Sequence, residues 1–361
     1  MNKKLKKLFN NPKAYFYDYF RKQVRAHPNG PVSLAVKMAF ANAKTDLGYG
    51  KEVRKYLRES KLKQAENICI EGMEVVPRAI SPFVLFADVS MRKGDFAEAL
   101  NRWKKVIEKF PHKADGYVGE ARAYAALGDY KQVELLCRNS MKNMPDEFWS
   151  YIEMAEISMR QGDFGEAIKR WGVVREKFPD KVQGYVRASV ACCSLNRFSE
   201  AEELCRECMK ATPGDCRPYA EYAEVSLRQR DFDEALKRCQ TVRERFPGRV
   251  DGYVRAAWAY MEMLEYAKAE DLCRQSMEAA PKDIRSFAEY AEISMRKGDF
   301  KEASNRWEIV RDKFPHEING YIGGAGPTWN CSSMPRQRIY APGAWTPWRG
   351  SLQSAGICTI F

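Results

Sequence analysis

The stretch "MRKGDFAEALNRW", Met91 to Trp103, returns as "MRQGDFGEAIKRW" at Met159, "LRQRDFDEALKRC" at Leu227 and "MRKGDFKEASNRW" at Met295, always at the same step along the chain. Gly48-Tyr49, Gly116-Tyr117, Gly184-Tyr185, Gly252-Tyr253 and Gly320-Tyr321 keep that step. A weaker copy lies halfway through the unit: "ALGDYKQVELLC" around Gly128 follows "RKGDFAEALNRW" around Gly94. The chain therefore reads as 34-residue modules joined in 68-residue double units, and a fixed period of this length marks a repeat array.

Each module predicts two helices. Phe83, Phe86, Ala87 and Ser90 fall at helical spacing and make one stripe. Gly94 supplies a left-handed stop and Asp95 a cap for the next helix. Phe96, Ala99, Trp103 and Val106 form the stripe of that second helix, which Pro111 ends because proline cannot continue a helix. A single such pair cannot bury its apolar face, so modules must stack.

This pattern resembles the tetratricopeptide repeat (TPR). The matching residues are Ala87, Gly94, Phe96, Ala99, Trp103 and Pro111, then Ala121, Gly128, Tyr130, Cys137 and Pro145, with Val133 where alanine is usual. The match runs in register from about Gly48 to Gly324: a half unit over 48–77, three double units, and the start of another. The resemblance implies an all-α, right-handed superhelical solenoid over 45–325, whose first helices line a concave groove that binds another protein or peptide. The expectation is thus a scaffold and no enzyme.

Composition narrows the alternatives. The net charge of +12 is concentrated at the ends: residues 1–25 hold eight Lys and Arg against Asp18 alone, and three arginines with no acid follow Gly326. The middle is nearly balanced, which argues against a nucleic-acid face along the array. No apolar run approaches the length of a membrane span, and no signal peptide is evident. Cys69, Cys137, Cys205 and Cys273 keep one phase, one per double unit, and read as small, reduced core side chains, pointing to the cytoplasm. Cys205 and Cys208 form a lone CxxC without a second pair or a nearby His. His112 and His316 follow prolines that end helices. No Walker loop, dinucleotide fingerprint or His-rich metal motif occurs, so no catalytic residue, metal, cofactor or small-molecule substrate is expected.

Candidate partner-binding residues come from the array. Asp88, Glu156, Glu224 and Glu292 stand at one candidate groove position, with Arg92, Arg160, Arg228 and Arg296 four residues later. Acid before base at this spacing also suits a solvated ladder of helix ion pairs. Alternatively the arginines offer forked donors to a carboxylate or phosphate, which implies an acidic partner. Met91, Met159 and Met295 precede them as an adaptable apolar strip.

Residues 1–44 read as a basic amphipathic segment plus a capping helix. Leu5, Leu8 and Phe9, then Phe16, Phe20 and Val24, share faces flanked by Lys3, Lys4, Lys6 and Lys7. Such a segment suits an anionic inner-membrane surface, or packs on the first module. It also resembles the leader of bacterial capsular-polysaccharide biosynthesis proteins, some of which join TPRs to a glycosyltransferase domain. The alternative reading is therefore the N-terminal part of such a membrane-associated enzyme, with its catalytic domain absent from this chain.

Residues 326–361 break the pattern. A permitted coding of Gly326 to Ala341, read from one base earlier, gives RAYLELLLYAKAEDLC, close to "AYMEMLEYAKAEDLC" at Ala259 to Cys273. The expectation is a tail read out of frame and lacking evolved function, with a low-complexity linker as the rival.

Overall fold

The computed structural model describes residues 46–315. The N-terminal segment expected over 1–44, with its candidate membrane residues, and the tail expected over 326–361 lie outside the described residues. Among the described residues, sixteen helices follow one another in eight pairs: α1 (Asp46–Arg58) and α2 (Leu62–Val75), α3 (Ser81–Lys93) and α4 (Phe96–Lys109), α5 (Ala114–Leu127) and α6 (Tyr130–Asn143), α7 (Phe148–Gln161) and α8 (Phe164–Lys177). Then come α9 (Val182–Ser194) and α10 (Phe198–Ala211), α11 (Cys216–Gln229) and α12 (Phe232–Arg245), α13 (Asp251–Glu262) and α14 (Tyr266–Ala279), α15 (Ile284–Lys297) and α16 (Phe300–Lys313). No strand occurs among the described residues.

The turns form as the residues dictate. Gly94, Gly128, Gly162 and Gly298 end first helices at φ of 74–80°, the left-handed conformation that costs glycine least. The next residue caps the second helix: Asp95 accepts from the Glu98 amide, and Asp129, Asp163, Asp231 and Asp299 do the same three residues on. Arg230 stands where glycine would, at φ 63°. Ser60, Asn196 and Leu264 also turn left-handed, and the helices they precede have no side-chain cap bond.

Stacking buries a series of apolar clusters between the helices. Trp103, Trp171, Cys239 and Trp307 are buried along one column, and the thiols of Cys69, Cys137, Cys205 and Cys273 along another. Those cysteines are free, and burial pushes the thiols of Cys69 and Cys137 up to about 12, as inert packing residues require. Cys205 and Cys208 are both buried, and no metal-binding group occurs among the described residues. A Cβ on Gly119 would lie 2.4 Å from the Trp103 ring, so only glycine lets α5 close on α4.

One arginine per double unit ties three helices together. Arg102 of α4 bonds Glu98 at 2.7 Å, the Phe86 carbonyl of α3 at 2.9 Å and Glu66 of α2 at 2.6 Å. Arg170, Arg238 and Arg306 repeat this tie in the later double units, to Glu134, Glu202 and Glu270. Arg102, Arg238 and Arg306 also lie 3.6, 3.6 and 3.7 Å over the rings of Phe86, Tyr222 and Tyr290.

Successive first helices pack directly on one another, whereas successive second helices have no comparable packing. The first helices thus form the inner face and the second helices the outer. The exception is the α7–α9 step, where the two backbones approach less closely, their side chains still share one core cluster, and Arg187 bonds both carboxylate oxygens of Glu156 at 2.6 Å.

Candidate partner-binding face

Inner-face charge falls at two positions of the first helices. The first is the expected row Asp88, Glu156, Glu224 and Glu292, where Arg122 and Trp258 also fall. The second lies three residues earlier and is not evident from the repeat alone: Glu153, Arg187, Glu221, Arg255 and Glu289. Its signal is a spacing of 31, which places a residue of the first row beside one of the second row in the next module. Arg122 meets Glu153 at 2.5 Å, Arg187 meets Glu156 at 2.6 Å, and Arg255 meets Glu224 at 3.2 Å.

The expected pairs four residues apart form at two of four places. Arg228 reaches Glu224 at 3.4 Å and Arg296 reaches Glu292 at 3.8 Å. Glu156 is taken by Arg187 instead, so exposed Arg160 makes no ion pair among the described residues. Exposed Arg92 makes none either, and Asp88 lies half-buried beyond ion-pair distance of it. Arg296 is held more closely by Glu262, at 2.6 Å. Met91, Met159 and Met295 are half-buried, the first two against core clusters, so they border the face with part of their surface.

The diagonal ladder lacks its base at two rungs. Val190 stands opposite Glu221, and Trp258 opposite Glu289. Glu221 is only 6% exposed, yet its one hydrogen bond among the described residues is a long contact from Ser189 Oγ at 3.5 Å. Glu289 makes no hydrogen bond or ion pair with any described residue. Burial, with Glu224 beside it, pushes the Glu221 carboxyl up to about 7 against the attraction of Arg255, Arg228 and Arg187. Burial and Glu292 push Glu289 to about 7, and burial lifts Asp88 to about 6. A second exposed element completes the face: Trp149 of α7 is 49% exposed, with the Arg122 guanidinium 6.0 Å from its ring.

Family models described as tetratricopeptide repeat match residues 84–132 and 152–215, and 226–288. Among solved structures, the chain is similar to yeast Tom70 with a TM-score of 0.56 and 18% identity, covering 78% of this chain and 59% of that one. It is similar to the APC/C hetero-tetramer Cut9-Hcn1 (TM-score 0.43, 15% identity, 73% of this chain and 52% of that chain). A tetratricopeptide repeat protein from Parabacteroides merdae aligns at a TM-score of 0.46 and 11% identity, over 78% of this chain and 98% of that one. The chain spans less than two thirds of the first two of these. No curated protein matches the sequence.

Proposed function

The array is built of tetratricopeptide repeats, and from that premise we propose that the chain is a non-catalytic scaffold holding another protein or peptide along the inner face of its first helices. The observation that carries this reading is a set of inner-face groups left open to solvent: Trp149, 49% exposed, and exposed Arg92 and Arg160 without ion pairs among the described residues. An exposed tryptophan and arginines are residue types enriched at interface centres. Arg92 and Arg160 suit a carboxylate-bearing stretch of the partner, held by charge-assisted bonds.

A photo-crosslinking residue placed at Trp149 or Arg160, and in parallel at outer-face Lys169, tests this in the native cell extract. The inner positions should capture a common product that Lys169 does not, and R92E/R160E should abolish it. Equal capture from Lys169, or capture indifferent to the double reversal, overturns the reading.

A further inference from the structure

The two ends of the inner face are left with opposite unpaired charge. Around α3–α7 the exposed groups of the two rows and their i+4 partners without ion pairs among the described residues are Arg92 and Arg160, with half-buried Asp88 the one unpaired acid of the rows there. Around α11–α15 five carboxylates, Glu221, Glu224, Glu262, Glu289 and Glu292, face Arg228, Arg230, Arg255 and Arg296, and all four arginines already pair with Glu224, Glu262 or Glu292. Glu221 and Glu289 remain. A carboxylate as buried as Glu221 normally has a cation or several donors against it, because an unpaired buried charge is costly. Glu153, at the equivalent place in α7, has that cation in Arg122. At the next two equivalents the chain supplies Val190 and half-buried Trp258 instead.

We propose that the inner face over α11–α15 binds a basic peptide, one arginine or lysine completing the rung at Glu221 and a second completing the rung at Glu289. This rests on the groove reading above and adds the chemistry of the partner. At the second rung Trp258 is half-buried and packed in part on the core, and Glu289 supplies the carboxylate for a guanidinium or an ammonium. Glu221 and Glu289 sit two modules apart on first helices that pack directly through α13. Helices in contact lie about 8–10 Å apart, so the two rungs are separated by about 16–20 Å. An extended chain covers that in about five or six residues. The ligand is thus a stretch with two basic residues at that spacing.

The probes are fluorescein-labelled 12-residue peptides of one host sequence with two positions five or six apart occupied by arginine, citrulline or glutamate. They are titrated into the full chain and followed by anisotropy. The arginine peptide should bind, and its citrulline form should bind roughly tenfold or more weakly, as for loss of a charge pair in a desolvated interface. The E221Q/E289Q variant should bind the arginine peptide no better than the citrulline one, and should bind the citrulline one as the parent does. Thermal melts check that the variant is folded, and glutamine keeps the shape while removing the buried charge. Arginine binding unchanged in the variant, or a preference for the glutamate peptide, overturns the proposal. So does binding of a peptide of residues 1–25 with the same dependence on Glu221 and Glu289, which would assign the rungs to the chain's own basic end. Should no peptide bind while crosslinks still form from Trp149, this proposal falls and the groove reading stands.

Discussion

Arg230 is one of four residues, with Ser60, Asn196 and Leu264, that turn left-handed where glycine ends the other first helices. Four first helices end on glycine at φ near 75°, and in the sixth pair the arginine of "LRQRDF" adopts the same left-handed conformation at φ 63°. A side chain with a Cβ is strained there by about 1–2 kcal/mol, and glycine recovers part of that against its greater freedom when unfolded. Arg230→Gly should therefore stabilise the chain by about 0.5–1 kcal/mol in urea denaturation. The reverse change at Gly94, where an added Cβ would meet nothing within 4 Å, should destabilise through the backbone alone. A destabilised Arg230→Gly would show that its contacts, 5.6 Å over Phe232 and 4.0 Å from Glu262, outweigh the strain.

At the scale of elements, the repeated arginine decides how one pair grips the next. Arg238 of α12 is 11% exposed and fixed by Glu234, Glu202, the Tyr222 carbonyl and the Tyr222 ring. Lysine keeps the charge and loses the fork and the stack, so Arg238→Lys should cost about 2 kcal/mol. Arg206→Lys, at a half-exposed pair with Glu202, should change stability by under about 0.5 kcal/mol. Equal effects at the two sites would remove Arg238 from its role. The helices, turns, caps and buried columns were plain in the sequence, because each is written at helical spacing or at the period of the module. The ties that depend on which helix of another module lies alongside were hidden. Arg102 to Glu66 spans 36 residues and Arg122 to Glu153 spans 31. Pairing four residues apart was legible at Glu156 and Arg160, but Arg187 of the next module competes for the same carboxylate and reaches it with a fork. The candidate face was thus half visible: its first row followed from helical spacing, and the row of Glu221 and Glu289 needed the stack.

For the whole molecule, the inner-face carboxylates set an unusual response to pH. Glu221 and Glu289 are raised from 4.5 to about 7, and Asp88 from 3.8 to about 6, by burial first. The folded chain holds protons there that the unfolded chain releases near its ordinary carboxyl values. The stabilising contribution is full below those unfolded values and is lost as pH rises through about 6–7. Glu66, Asp215, Asp251 and Asp283 are shifted down, so their stabilisation is lost only at lower pH. The melting temperature should therefore be about 2–6 °C higher at pH 5.5 than at pH 8, and E221Q/E289Q should shrink that difference. A parent chain that melts higher at pH 8 would contradict the assignment.

The step between α7 and α9 has a mechanical meaning. Elsewhere successive inner helices bring their backbones close together, while here they do not, and Arg187 and Glu156, with 37% and 20% of their side chains exposed, add an ion pair to the core cluster that the two helices share. A coil spring yields first at its softest turn. Stretched between its ends in an optical trap, the molecule should lengthen at this turn before any module unravels, and the force required should fall as salt screens the pair. Replacing Glu156 with glutamine should lower that force and remove its dependence on salt. A partner anchored on both sides of the soft turn would then feel tension as a change in the fit of its own binding site.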